Sequence, residues 1–259
     1  MTDSSAVMQE MIDNHEDCRI LTGESGQFTV KLRPNAIIEK LQDKLAPEDI
    51  ASVTQIANHQ NAIMGIRSDL YLRCFQLNCS AKDLCPFRSI PNGDTHADVM
   101  FIGKTPTQYE ACNFNSHSDK GGVFLSLILK KLGVARESVY CTDMIKCHTS
   151  NLDKNSYNEC IGHYLTKEIE QVAPKLIICD GLSLLKACMK MENPLFLDLP
   201  SDIGYGKIYD AHTPKGLAVK VMAMYDLDVV LNKTGEEYDK CKTDLWQQLL
   251  TGFKSLTGE

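Results

Sequence analysis

Apolar runs along this chain come in two alternating periods. Ala97-Asp-Val-Met-Phe-Ile-Gly103 is nearly continuous and ends on a glycine, the pattern of a strand buried on both faces. A polar loop from Lys104 to Phe114 and the pair Gly121-Gly122 follow. The spacing then becomes helical, with Val123, Phe124, Leu127, Ile128, Leu129 and Leu132. Ser138 to Asp143 reads as a second strand. Tyr157 to Val172 has helical spacing (Ile161, Tyr164, Leu165, Ile169) and stops before Pro174. Lys175 to Gly181 is a third strand, Leu182 to Met191 a short helix, and Ala218 to Tyr225 a fourth strand. Glu236 to Leu256 is a closing helix with Trp246, Leu249, Leu250 and Phe253 on one face. Residues 192–218, rich in Pro, Gly and Asp, read as loop with room for one edge strand near Ile208. Strands alternating with helices predict an α/β fold with a central parallel four-stranded sheet flanked by helices.

Before this domain the pattern is weaker. Residues 1–30 are polar and mixed, and read as a loose start. Leu32 to Leu45 has helical spacing (Ile37, Ile38, Leu41), and Ala46-Pro-Glu-Asp-Ile50 is a helix start that runs on through Met64. The expected division is a helical N-terminal extension over 1–70 and an α/β domain over 71–259, joined through an irregular loop from Cys74 to Asn92.

Composition narrows the setting. Of 259 residues 43% are hydrophobic, enough for an ordinary core. No apolar run reaches the roughly 18 residues of a membrane span, and Met1 to Asp17 lacks a signal-peptide core, so a cytoplasmic, monomeric protein is expected. A net charge of -7 argues against broad electrostatic binding to nucleic acid but leaves room for a local basic groove. Eleven cysteines, an odd number, argue against a disulfide framework. Cys141, Cys179 and Cys188 fall inside strand or helix patterns. Cys74, Cys79, Cys85, Cys147 and Cys160 stand in polar context and invite a metal reading.

A βαβ unit places ligands beyond the carboxyl ends of its strands. Here that rim carries Lys104 to Glu110 after the first strand and Asp143 after the second.

The order of motifs resembles the uracil-DNA glycosylase superfamily, most closely its iron–sulfur type, family 4. The residues carrying the likeness are Cys85-Pro86-Phe87; Gly103-Lys104-Thr105-Pro106 with Glu110; Phe114 and Gly121; Val139-Tyr-Cys-Thr-Asp143 through Lys146-Cys147; Cys160; Pro174-Lys175 through Gly181; and Tyr225-Asp226-Leu227. The likeness spans residues 74–255 and implies a DNA glycosylase that flips a base and hydrolyses its N-glycosidic bond. It places Gly103, Tyr109, Phe114 and Asp143 at base-binding positions. It also implies a [4Fe–4S] cluster on Cys147, Cys160, Cys85 and either Cys79 or Cys74. The spacing of the first cysteine pair departs from the family, and a structural zinc or plain buried thiols are the alternatives. Three positions depart where the chemistry lies: Lys104 replaces a carboxylate, Asp143 the base-reading Asn, and Asp226 a late His.

Each candidate has its rival. Phe114 stacks on an extruded base, or is a core Phe under the loop. An ionised Asp143 only accepts hydrogen bonds. It therefore opposes uracil O4 and suits the amino group of cytosine or a C5-modified cytosine, a substrate fitting defence against phage DNA; alternatively, base reading is lost. Glu110 stabilises oxocarbenium character and orients water. Lys104 neutralises the departing base, holds a phosphate, acts as an amine nucleophile, or is a solvated lysine. Asp226 has moved to the sugar side, or activity is weak or absent. His212 is a candidate for the missing imidazole, and His148 with Lys146 for contact with DNA phosphate. The competing function is a non-catalytic DNA- or protein-binding module, for example in a phage or replication complex.

Overall fold

The computed structural model describes residues 18–22, 28–32, 62–67, 69–70, 79, 88–148 and 153–257. The chain divides into two compact units, Met1–Leu72 and Arg73–Glu259. In the first, strands β1 (Cys18–Thr22) and β2 (Phe28–Leu32) pair antiparallel, from Cys18 opposite Leu32 to Thr22 opposite Phe28. These two strands occupy a stretch read from sequence as irregular. β2 alternates apolar and polar residues (Phe28, Val30 and Leu32 around Thr29 and Lys31), but so briefly that it does not stand out from the polar sequence before it. Residues 62–67 and 69–70 are helical and bury Ile63, Ile66 and Leu70. The helices expected over Leu32 to Leu45 and from Ala46 lie otherwise outside the described residues.

The second unit is an α/β domain. Its elements are β3 (Val99–Gly103), α1 (Gln108–Cys112), α2 (Lys120–Lys131), β4 (Tyr140–Asp143) and α3 (Lys154–Cys160). A π-helical turn, Ile161–Leu165, leads into α4 (Thr166–Val172), followed by β5 (Leu176–Asp180), α5 (Leu182–Lys190), β6 (Ile208–His212), β7 (Ala218–Met224), α6 (Leu227–Leu231) and α7 (Gly235–Thr257). The sheet order is β4-β3-β5-β7-β6. The first four strands run parallel, and β6 pairs antiparallel to β7. The sheet is thus mixed and five-stranded, which corrects the count of four parallel strands. β6 runs from Ile208, the position of the suspected edge strand. It reads poorly in sequence because an edge strand is half-exposed and lacks a continuous apolar run.

Both faces of the sheet are covered. Val99, Phe101, Cys141, Leu176, Ile178, Met222 and Met224 share a core with Leu125, Ile128 and Leu129 of α2 and Leu245 and Leu249 of α7. The alternate residues Met100, Ile102, Tyr140, Ile177 and Cys179 are fully buried as well. Burial on both sides is why these strands read as continuous apolar runs. Val123 and Leu127 of α2 face outward instead, so that helix buries a narrower stripe than its sequence suggested.

The chain emerging from β4 is fixed by a buried ion pair. Lys146 Nζ sits 2.8 and 3.0 Å from the two oxygens of Glu168 on α4. It also donates to the Thr142 hydroxyl and the Asp143 carbonyl, and Thr142 Oγ1 donates to Glu168. Lys146 and Glu168 are 1% and 0% exposed, so neither charge has water to fall back on. Removing one partner strands the other. Lys146→Met is expected to destabilise the protein by roughly 3–5 kcal/mol in urea unfolding, and Lys146→Met with Glu168→Leu to recover most of that loss. Equal losses in the single and double variants would contradict this account.

Candidate functional site

Gly103 ends β3 and stands opposite Asp143 at the end of β4. β4 and β5 lie on either side of β3, so the connections diverge here, where α/β sheets hold their ligands. A cavity of about 190 Å³ opens at this point. Cavities of about 150 Å³ accept a benzene ring, so the space suits a single heterocycle. Its wall includes Gly103, Lys104, Thr107 and His117, together with six carboxylates: Glu110, Asp119, Asp143, Asp180, Asp226 and Asp228.

Three helix N-termini converge on this wall, and most of the carboxylates serve them. Glu110 closes a capping box on α1, accepting from Thr107 N at 2.7 Å and Thr107 Oγ1 at 3.0 Å. Asp119 caps α2 through Gly122 N at 3.0 Å, and Asp226 caps α6 through Val229 N at 3.0 Å. Asp180 accepts from Leu227 N at 2.9 Å. Backbone amides and the positive ends of helices therefore hold these charges together. Their crowding still shows. Burial, reinforced by the charge of Asp143, pushes the Glu110 carboxyl up to about 7 against the pull of the Thr107 amide. Burial, then Asp226, raises Asp180 well above the carboxylate range. Asp228 is raised by burial, then by Asp119 and Asp226.

Asp143 caps no helix. Two hydroxyls converge on its Oδ2, Ser89 Oγ at 2.5 Å and Ser116 Oγ at 2.7 Å. Ser89 is brought there by a main-chain bond from its N–H to the Lys146 carbonyl at 2.7 Å. Ser116 sits in the turn between α1 and α2, where Phe114 and His117 adopt left-handed backbone (φ 51° and 53°). Each such residue costs of order 1–3 kcal/mol, which the surrounding contacts must hold in place. The turn also needs Gly122, since a Cβ there would collide with the His117 carbonyl. A Cβ on Gly103 would collide with Asp143 Oδ1 and come within 3.1 Å of His117 Cε1.

The fold brings Gly103, Lys104, Glu110, Asp143 and Asp226 to one cavity. Lys104 is exposed on its rim, and Asp226 is engaged as a cap. The wall is formed without Phe114, which is half-buried, and without Tyr109, which is 60% exposed on α1. Lys146 is not at the surface to meet a phosphate: it is the buried partner of Glu168. His148 is exposed, its Nδ1 2.9 Å from the Pro106 carbonyl. His212 lies on the edge strand, 3.1 Å from Asp198, and does not line the cavity. The imidazole on the wall is His117, which nothing in the sequence singled out. Asp119, Asp180 and Asp228 were also unforeseen, although Asp119 before a glycine pair and an apolar helix is a recognisable N-cap.

The described residues do not supply the expected iron–sulfur centre with a set of ligands. Cys147 and Cys160 are buried and Cys79 is half-buried, while Cys74 and Cys85 lie outside the described residues. Among the described residues no three His, Cys, Asp or Glu side chains are grouped so as to hold a metal ion. The [4Fe–4S] assignment is corrected accordingly. The spacing of cysteines along the chain carries no guarantee that their sulfurs converge.

A family model for the uracil DNA glycosylase superfamily matches residues 90–250. Among similar curated proteins is the type-4 uracil-DNA glycosylase of Archaeoglobus fulgidus, 28% identical over 151 residues, 57% of this chain and 74% of that protein. The type-4 uracil-DNA glycosylase of Saccharolobus solfataricus is 32% identical over 126 residues, 44% of this chain and 58% of the relative. That of Pyrobaculum aerophilum is 28% identical over 162 residues, 60% and 81%.

Two outcomes are expected from this geometry. Gly103→Ala cannot be accommodated unless Asp143 leaves its hydroxyl partners, and should cost about 1–3 kcal/mol in chemical unfolding; a neutral substitution would mean the cavity floor is loose. Glu110 has a raised folded-state pKa, so its contribution to stability is complete below its ordinary value of 4.5 and is lost as pH rises through about 7. Glu110→Gln preserves the capping box without that loss. Its Tm relative to the parent protein should therefore rise between about pH 5 and about pH 8, and a difference independent of pH would refute the assignment.

Proposed function

The chain belongs to the uracil DNA glycosylase superfamily and is related to its type-4 members, and from that premise we propose that it hydrolyses the N-glycosidic bond of a base flipped out of DNA, a cytosine-type base rather than plain uracil. The observation that carries the reading is Asp143. Its Oδ2 is taken by Ser89 and Ser116, while Oδ1 borders the gap above Gly103. A carboxylate oxygen there accepts from an exocyclic amine and repels a carbonyl.

The wall favours departure of a protonated base. An anionic leaving group would meet carboxylates on several sides, with Lys104 on the rim as a counter-charge. Glu110, pushed up to about 7 by burial and by Asp143, carries a proton in a substantial share of molecules near neutrality and is suited to general acid catalysis. In this scheme the base enters the cavity by flipping. Glu110 gives its proton to the base as the C1′–N bond breaks. Ionised carboxylates of the wall stabilise the oxocarbenium character of the sugar. Water adds its oxygen to C1′, and its proton passes to Asp226, whose Oδ2 is not the oxygen that caps α6. Glu110 thus works as an acid in place of the ionised stabiliser read from sequence. A C5-modified cytosine in phage DNA is a substrate that would give the enzyme a defensive role.

A second reading has its own support. Asp226 caps α6 where the family's late His is expected, and an acid-lined cavity repels the DNA backbone. Both would suit a fold kept as a binding module without hydrolysis.

Oligonucleotides bearing uracil, cytosine or C5-substituted cytosines, assayed for alkali-labile abasic sites, separate the two. Excision should favour the cytosine-type bases by at least about tenfold, some 1.4 kcal/mol in the barrier. Glu110→Gln should slow it at least a hundredfold, roughly 2.7 kcal/mol, and Asp143→Asn should shift preference toward uracil. Binding with no abasic product from any base would favour the module.

A further inference from the structure

We infer that His117 is a specificity-determining residue of this site: its Nε2 presents a lone pair which, beside Asp143 Oδ1, forms a pair of acceptors for both N–H groups of a primary exocyclic amine on the bound base. The inference rests on the reading of the cavity as a base pocket, and extends it from one acceptor to two.

The direction of the hydrogen bonds leads to it. Ser116 Oγ lies 2.7 Å from Asp143 Oδ2 and 2.9 Å from His117 Nδ1. A serine hydroxyl has one proton, and here it is given to the carboxylate. Toward His117 the same oxygen can then only accept, so Nδ1 must carry the ring proton. In a neutral imidazole the other nitrogen is then the acceptor. Burial of the ring favours that neutral form and lowers the His117 pKa, against the opposing charge of Asp143. The chain of donors runs from imidazole to hydroxyl to carboxylate and leaves Nε2 without a proton.

The placement of that nitrogen is equally constrained. His117 is buried yet lines the cavity. Its Cε1–Nε2 edge is turned toward Gly103, with Nε2 3.5 Å and Cε1 3.1 Å from where a Cβ of that glycine would stand. Asp143 Oδ1 borders the same gap. Among the described residues, the one hydrogen-bonding contact of the ring is through Nδ1. Two acceptors facing one gap match a primary amine. They oppose the carbonyl of uracil, and they are left half-satisfied by an amine that has lost one N–H. The pocket should accept cytosine, exclude uracil and discriminate against N4-methylcytosine, whereas Asp143 alone would accept either amine. Ser116 acts as a positioning residue, setting which nitrogen of His117 carries the proton.

The full chain, labelled with ¹⁵N-histidine, tests this by NMR together with binding and excision on thymidine oligonucleotides carrying one cytosine, N4-methylcytosine or uracil. The ring-nitrogen shifts of His117 should report a protonated Nδ1 and an unprotonated Nε2, and Ser116→Ala should shift that balance. Cytosine should perturb Nε2. N4-methylcytosine should bind or react at least about tenfold less well, and His117→Phe, which keeps the ring and removes both nitrogens, should lower the cytosine-over-uracil preference by at least about tenfold. His117→Gln, which offers an acceptor at similar reach, should restore part of it. Cytosine bound as expected, with no abasic product from it or from a C5-substituted cytosine, would end the hydrolytic reading and leave the acceptor pair standing. Excision that proceeds with N4-methylcytosine as good as cytosine, a preference unchanged in His117→Phe, or a proton found on Nε2 would overturn the acceptor pair and leave the hydrolytic reading intact. No interaction with any of the three bases or with a C5-substituted cytosine would overturn both.

Discussion

A carboxylate buried at a strand end has to be met by donors, and the site is arranged around that requirement at Asp143. Its residue is 2% exposed. An unpaired buried charge costs several kcal/mol, so the structure brings Ser89 from ahead of β3 and Ser116 from the turn between α1 and α2 to the same oxygen. The rest follows sterically. The strand beside Asp143 must end on Gly103, and the turn that delivers Ser116 must hold two non-glycine residues in left-handed backbone and press against Gly122. On the far side the Lys146–Glu168 pair takes up the Asp143 carbonyl through Lys146, so the end of β4 is held from both directions.

The acidic wall has a structural origin and a chemical effect. α1, α2 and α6 all begin at the cavity, and each is started by an acid or an acid-assisted cap. Helix N-termini attract negative charge, and caps contribute of order 1 kcal/mol each. Burial in so small a space, reinforced by the neighbouring carboxylates, then pushes some of the six toward the protonated form, Glu110 and Asp180 most clearly. The same constraint that starts three helices thus supplies a proton donor at near-neutral pH and makes the cavity a poor home for an anion. A base that leaves protonated and offers an amine is the ligand chemistry such a wall accepts.

The main strands and long helices were legible because their signals are local and uninterrupted. Val99–Gly103 and Leu176–Asp180 are buried on both faces, and α7 carries its apolar side chains at helical spacing over 23 residues. α1 and α6 were missed, being five residues each, shorter than the window in which a period is visible. The helix expected as one piece from Tyr157 to Val172 is broken by a π turn at Ile161–Leu165, which sequence spacing does not announce.

Which residue types stand at the rim was determined by the sequence alone: the acids at 110, 143 and 226, and the glycine at 103, are there whatever the fold does with them. Their roles were decided only in three dimensions. Lys146 looked like a phosphate ligand and is a buried counter-ion, Asp226 looked like a catalytic group and is first a helix cap, and among the described residues the cysteines spaced like cluster ligands form no group of three donors able to hold a metal. His117 looked like nothing, and lines the cavity against Ser116 and Gly103. The reason is the range of the forces concerned. Periodicity and capping act between residues a few positions apart and can be read along a line, whereas hydrogen-bond direction, burial and the meeting of charges depend on segments far apart in the chain, as Ser89 and Asp143 are by 54 positions, arriving at one point.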